Sequence, residues 1–454
     1  MTACFMIAAA HKSSGKTVVS TGLARAMHNR GLHVQTFKKG PDYIDPMWLH
    51  HASNQPCYNL DFNTMPALEI RDFFANRAQG ADIALIESNK GLFDGVDLHG
   101  KDSNAALAQL LHAPTVLVVD TTGTTRGIAP LLLGYQSFAK NLHIAGIILN
   151  KVGGARHEAK LRAAIAEYTD MVVLGAVART ADLEIGERHL GLTTPRETGK
   201  LDEAIDHFAA RMESSINIDT LLEIGKTAPA LVQSSSPPVV PFAQNLRIGI
   251  ARDTAFGFYY PDDLEAMGAM GAELVFFDAR KDPQLPQVDG LFIGGGFPET
   301  SAAALSQNTT LRQDIHMKIS AGLPVYAECG GLMYLCETLK WQGETYPMVG
   351  AIPGDAVMCA RPQGRGYTRL MATENCPWPL KDAVLNAHEF HYARIENLPK
   401  DTKFAFNVER GAGVDGMHDG IMVNNLLAGF CHMRNTSTNP WVERFLRHVK
   451  RCSQ

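Results

Sequence analysis

Cysteine patterning is what this chain lacks. Its eight cysteines (Cys4, Cys57, Cys329, Cys336, Cys359, Cys376, Cys431 and Cys452) form no CxxC pair and keep no regular spacing. That argues against a disulfide framework and against a zinc ribbon, and for a reducing compartment. No sign of charge dominates either: 42 Lys and Arg stand against 47 Asp and Glu, a formal net charge of -5. Such a balance gives no electrostatic reason to expect nucleic acid or an anionic membrane as partner. There is no long charge block and no internal repeat at solenoid periods. The apolar start, Met1 to Ala10, is too short for a membrane span and lacks a basic flank, so it reads as the buried first strand of a cytoplasmic protein.

What is present is an ordinary globular composition, 45% hydrophobic and 20% charged, over 454 residues. That length exceeds what one hydrophobic core normally supports, so two domains are expected. Short apolar runs recur through the first half at Phe5 to Ala10, Val34 to Lys38, Ile83 to Glu87, Thr115 to Asp120, Ile144 to Asn150 and Val172 to Val177. They alternate with segments of helical spacing such as Val18 to His28, the pattern of βα units around a parallel sheet. From Thr227 to Asn245 the pattern dissolves into Ala, Pro, Ser and Gln, including Ser234-Ser-Ser-Pro-Pro238. A second α/β series then opens at Leu246 to Ala251 and continues through Glu273 to Phe277, Gly290 to Ile293 and Leu323 to Ala327. The expected division is a domain over 1–230, a linker over 231–245 and a domain over 246–454.

The first chemical signal is Ala10-His-Lys-Ser-Ser-Gly-Lys-Thr17. A phosphate-binding loop of the Gly-x4-Gly-Lys-Ser/Thr type has this form, with Ala10 standing for the first glycine. Its backbone N–H groups close on phosphate oxygens, the lysine meets the outer phosphates, and the hydroxyl serves Mg²⁺. The strand before it and the helix after it supply the order that this mechanism requires. Carboxylates recur at successive strand ends, where open parallel sheets collect ligands: Asp42 and Asp45, Glu87, Asp94 and Asp120. Lys38, Lys39 and Arg156 are candidates for phosphate or substrate carboxylates. Each acid taken alone could be a solvated turn residue or an N-cap, as Asp94-Gly95 illustrates, and their recurrence at successive strand ends is what favours function.

The second signal is Leu323-Pro-Val-Tyr-Ala-Glu-Cys-Gly-Gly331, an apolar strand that breaks at Cys329. A tight strand-to-helix turn projects a sulfur, and a helix N-terminus favours its thiolate. Upstream, Leu291-Phe-Ile-Gly-Gly-Gly-Phe-Pro-Glu299 offers N–H groups suited to an oxyanion hole. The base is expected at His432, delivered by the strand-like Asn425 to Phe430. The alternative for Cys329 is a buried structural cysteine. His388 and His391 would line the substrate cleft or pack on a strand face, and they lack further zinc ligands.

These residues together resemble the cobyrinic acid a,c-diamide synthase family. The likeness runs through Lys39-Gly-Pro-Asp-Tyr-Ile-Asp-Pro46, Gly91-Leu-Phe-Asp-Gly95, Gly146-Ile-Ile-Leu-Asn150, Glu187-Arg-His-Leu-Gly-Leu192, Ala251 to Phe256, Tyr259-Tyr-Pro261, Gly294 to Glu299, Glu328 to Tyr334 and His388-Glu-Phe-His391. The resemblance implies an α/β chain of two doubly wound domains: a P-loop NTPase-like domain with a parallel sheet, then a class I glutamine amidotransferase-like domain. It implies ATP on Lys12, Ser13, Gly15, Lys16 and Thr17, Mg²⁺ on Thr17, Glu87 and Asp45, and substrate beside Asp42, Asp94, Lys39 and Tyr43. Cys329 and His432 would be the catalytic pair. Members commonly end this region in His-x-His after an aromatic, whereas here Phe430-Cys-His-Met-Arg434 has Arg434 at the second position. The implied activity is ATP- and glutamine-dependent amidation of the a and c acetates of a tetrapyrrole such as cobyrinate or hydrogenobyrinate. Sirohydrochlorin, sirohaem or nickel-sirohydrochlorin remain open as substrates. A regulatory P-loop ATPase with an inactive amidotransferase module is the rival reading. Partners are expected to be small molecules, with no nucleic acid and no membrane, and a homodimer is left open.

Overall fold

The computed structural model describes residues 2–139, 141–180, 183, 185, 187–188, 191–192, 201–231, 239–378 and 384–453. Two residues of the Glu187 to Leu192 motif, His189 and Leu190, and the Ser234 to Pro238 stretch lie outside the described residues. The chain divides into two units, Met1–Ser235 and Ser236–Gln454.

In the first unit the apolar runs become strands β1 (Ala3–Ala9), β2 (Val34–Lys39), β3 (Tyr58–Leu60), β4 (Ile83–Glu87), β5 (Thr115–Asp120), β6 (Ile144–Val152) and β7 (Val173–Ala178). They form one sheet in the order β3-β2-β4-β1-β5-β6-β7. Every pairing in it is parallel. Burial on both faces explains why these strands read as continuous apolar runs: all five residues of β4 are buried. Cys4, Met6 and Ala8 pack toward Ile70, Phe74, Leu107, Leu132 and Leu161. On the other face Gly225 lies against Ala3 and Phe5. From the central β1 the chain first winds to β2, β3 and β4, then crosses to β5, β6 and β7. The winding therefore reverses at β1, and the crevice at its carboxyl end is where a ligand is expected to sit. The three-residue edge strand Tyr58–Leu60 is too short to carry a period and was not predicted.

The second unit holds a nine-stranded sheet. Glu273–Phe277, Arg247–Ala251, Gly290–Ile293, Val325–Glu328 and Leu426–Gly429 run parallel in that order. His418–Val423, Lys403–Arg410, Gly364–Ala372 and Val384–His391 then extend it antiparallel. The sheet is thus mixed. Alternation in the added strands fits one solvated face: Thr368 and Leu370 are buried while Arg369 and Met371 are exposed. Phe292, Tyr326, Trp378, Trp441 and Phe445 form an aromatic cluster within the core of this unit. Among the described residues no helix is long and apolar enough to cross a membrane.

Candidate active sites

In the first unit the loop after β1 ends at Gly15, whose φ of 86° lies in the left-handed region. Helix α1 (Lys16–Asn29) starts there with no side chain capping it, so its leading N–H groups are left for an anion. Glycine is required at position 15 twice over. Besides its φ, a Cβ there would stand 2.2 Å from Nδ2 of Asn150. That Asn150 amide donates to the Ser14 carbonyl at 2.8 Å. Its neighbour Lys151 donates to the Ser13 carbonyl at 2.9 Å and to Asp120 Oδ2 at 2.8 Å. The end of β6 therefore forms the floor of the loop. Sequence reading singled out neither side chain for this task, because the contacts span more than 130 residues.

Beside the loop, acids and cations interlock. Thr17 Oγ1 donates to Glu87 Oε1 at 3.0 Å, and Lys38 Nζ donates to the same oxygen at 2.8 Å. Lys38 also donates to Asp45 Oδ2 at 2.5 Å, and Asp42 lies 3.8 Å away. Among the described residues no N–H or O–H group donates to the buried Glu87 Oε2. Burial raises the Glu87 pKa against the pull of Lys38. Burial also acts upward on Asp45, but the Lys38 charge and hydrogen bond outweigh it and hold Asp45 below the usual range. Asp42, desolvated and next to the Asp45 charge, is pushed up to about 7. Lys16, whose Nζ donates to the Lys90 carbonyl at 2.7 Å, is lowered to about 8 by burial and by Lys38.

The structure thus brings Lys16, Thr17, Asp42, Asp45 and Glu87 together, with Lys38 at their centre. Asp94 supports Lys16 through its charge, while its Oδ2 accepts from the Gly91 N–H at 2.9 Å. Asp42 Oδ1 accepts the Ile44 and Asp45 N–H groups, and Tyr43 precedes the helix α2 (Ile44–Ser53). Lys12 and Ser13 sit exposed on the loop. Lys39 is buried, its pKa lowered by desolvation, and interacts with Asp61 and Asp102 rather than with the Lys38 acids. Successive residues of a strand face opposite ways, which separates Lys38 from Lys39. Among the described residues no group of three or more His, Cys, Asp or Glu side chains is placed to hold a metal ion alone.

In the second unit, the strand Val325–Glu328 ends at Cys329, which adopts φ 49° and ψ -101° before the helix Gly330–Leu335. A non-glycine residue there is strained and held by its surroundings: its N–H donates to the Gly429 carbonyl at 2.8 Å. His432 is hydrogen-bonded to Cys329 and to Glu328, with Nδ1 3.3 Å from Glu328 Oε2. Burial acts to lower the His432 pKa, but those two partners raise it to about 10. Glu328 Oε1 accepts from the Tyr326 hydroxyl at 2.6 Å and from the Met433 N–H at 2.8 Å. Sulfur, imidazole and carboxylate thus form a continuous chain, the arrangement that activates a nucleophile. Glu328 was quoted in the motif but given no role; its position beside the cysteine was the only signal. Gly295 lies against the same centre, where a Cβ would come within 2.6 Å of His432 Cε1, and Gly296 lies against Gly330, the residue after Cys329. The Gly294 N–H donates instead to the Tyr259 hydroxyl at 2.9 Å. Arg434 is buried and paired with Asp262 at 3.0 Å. His391 stacks on Phe430, with ring centroids 3.8 Å apart.

Both units match known domains. Residues 5–192 match the CobQ/CobB/MinD/ParA nucleotide binding domain, and residues 247–440 match the CobB/CobQ-like glutamine amidotransferase domain. The chain is 44% identical over 457 residues to the cobyrinate a,c-diamide synthase of Magnetococcus marinus, covering 99% of this chain and 98% of that one. It is 39% identical over 444 residues to the Archaeoglobus fulgidus enzyme of the same name, covering 97% and 96%. To that of Dehalococcoides mccartyi it is 39% identical over 455 residues, covering 98% of each. The chain belongs to the cobyrinate a,c-diamide synthase family and is an enzyme, an ATP-dependent, glutamine-hydrolysing amide ligase.

Proposed function

We propose that the chain converts the a and c acetate side chains of a cobyrinate-type tetrapyrrole to carboxamides, with ammonia drawn from glutamine and activation drawn from ATP. The single observation that carries the glutaminase half is the Cys329 turn, hydrogen-bonded to His432 with Glu328 behind it. Cys329 Sγ attacks the glutamine side-chain carbonyl, backbone N–H groups of the Gly295–Gly296 segment beside His432 are the donors suited to the developing oxyanion, and His432 passes the thiol proton to the departing ammonia. Water then cleaves the thioester to glutamate, with His432 as base.

In the first unit a carboxylate needs a better leaving group than oxide. An acetate oxygen of the substrate attacks the γ-phosphorus of ATP, ADP leaves, and ammonia displaces phosphate from the acyl phosphate. The uncapped start of α1 and Lys16 suit the phosphates. Thr17, Asp45 and Glu87, whose buried Oε2 receives no donor among the described residues, are the oxygen ligands suited to Mg²⁺, an ion that would neutralise triphosphate charge. Lys38 keeps Asp45 and Glu87 together. All eight cysteines are free, which fits a reducing, cytoplasmic setting.

The test is Cys329→Ala, with products of cobyrinate, sirohydrochlorin and sirohaem followed separately by mass spectrometry. The expected result is loss of glutamine-dependent amidation with ammonia-dependent diamide formation kept, on cobyrinate. Loss of both nitrogen sources would refute the division of labour between the two units.

A further inference from the structure

His432 is held from three directions. Glu328 meets its Nδ1 edge, and Gly295 closes on Cε1. The third contact is a face: the ring of His388 stacks on that of His432, with centroids 4.9 Å apart and planes 15° apart. The two residues are also a backbone bridge. The His432 N–H donates to the His388 carbonyl at 2.8 Å, and the His388 N–H returns to the His432 carbonyl at 3.3 Å. Register and ring stack therefore fix each other.

The groups facing His388 settle its charge. His432 lies on one side, and the Tyr260 ring stands 6.4 Å off, with the Arg434 guanidinium over that ring. Tyr367 is its cross-strand neighbour. On its own strand Glu389 turns to the Ala412 and Gly413 N–H groups and to His391. Burial, then the positive charges of His432 and Arg434, hold the His388 pKa well below the ordinary imidazole range. His388 is neutral, and a neutral aromatic face beneath an imidazolium is attractive.

We propose that His388 is a positioning residue of the glutaminase centre: its ring, stacked under His432, fixes the plane of the catalytic imidazole and supports the charge that imidazole carries opposite Cys329. This rests on the assignment of Cys329 and His432 as nucleophile and base. Without the stack the imidazolium loses support, so the alkaline limb of the glutaminase profile moves to lower pH. A tilted imidazole also serves the sulfur poorly, which lowers kcat more than it raises KM.

The experiment measures glutamate release against pH for the full-length wild type, His388→Ala, His388→Phe and Cys329→Ala, with ammonia-dependent amidation as the control for folding. The expected result for His388→Ala is a kcat about tenfold lower and an alkaline limb at lower pH. His388→Phe, which restores a flat neutral face, is expected to return both toward wild type. A wild-type rate and limb in His388→Ala, or a Phe variant as impaired as the Ala variant, would overturn the role of His388. If His388→Ala loses ammonia use as well, the Phe variant decides alone: glutaminase kept supports the role, glutaminase lost with ammonia use intact overturns it. Retained glutamine hydrolysis in Cys329→Ala would instead overturn the underlying site assignment.

Discussion

Replacing Glu328 with glutamine changes one atom of the carboxylate and should disable the glutaminase reaction. Glu328 Oε1 takes two hydrogen bonds, from the Tyr326 hydroxyl at 2.6 Å and from the Met433 N–H at 2.8 Å. A glutamine that keeps its oxygen there must point its NH2 at His432 Nδ1, 3.3 Å away in the wild type. That turns Nδ1 into an acceptor and leaves the proton on Nε2, the wrong tautomer for taking a proton from sulfur. The charge is lost as well. With charge centres about 4 Å apart and an effective dielectric constant of about 20, the Glu328–His432 attraction is worth about 4 kcal/mol. Part of it is recovered by the amide dipole, and a net loss of about 3 kcal/mol lowers kcat about a hundredfold. The pH dependence follows from the direction of the shift. The His432 pKa is raised to about 10 in the folded protein. Its contribution to stability is therefore full below the unfolded value of about 6.5 and lost as pH rises through about 10. Glu328→Gln should cost stability at pH 7, and the difference from wild type should shrink above pH 10. The assay is glutamate release, paired with ammonia-dependent amidation, which should be unchanged. A variant within about twofold of wild-type glutaminase would refute the reasoning.

Two further substitutions probe the first unit. Gly15→Ala forces a Cβ to 2.2 Å from the Asn150 amide at a φ of 86°, so it should destabilise the protein by about 1–3 kcal/mol and weaken ATP binding, read by urea denaturation and nucleotide titration. Lys38→Met leaves Glu87 and Asp45 without their shared cation. Removing one partner of a buried pair costs about 3–5 kcal/mol. The Glu87 pKa is already raised and should rise further. Its unfavourable term therefore grows as pH rises above the unfolded value of about 4.3, and the stability deficit of Lys38→Met should shrink in acid, read by denaturation at pH 5 and pH 8.

How much of this was legible in the sequence depended on the distance between the residues that cooperate. The strands of the first unit were readable because each is a short unbroken apolar run, and Ile83–Glu87 and Thr115–Asp120 fall where the runs do. The Cys329 turn was readable because strand, sulfur and glycines are contiguous. The mixed half of the second sheet was not, since strands such as Gly364–Ala372 mix Gly, Arg and Thr and acquire their alternation only when one face is covered. Glu328 could be seen but not interpreted, because His432 lies 104 residues away. Asn150 and Lys151 are in the same position, being known as the floor of the loop only once β6 is paired beside β5. The choice between Lys38 and Lys39 turns on strand phase: one residue of offset decides which lysine meets the acids.

The left-handed backbone at Cys329 makes the sulfur's location a property of the main chain rather than of a side-chain rotamer. The energetic penalty of that conformation is borne permanently by the resting protein, so no rearrangement need be driven by glutamine when it arrives. A serine at position 329 would inherit the same backbone placement, so a difference in reactivity between the two would report the change of atom rather than a change of backbone geometry.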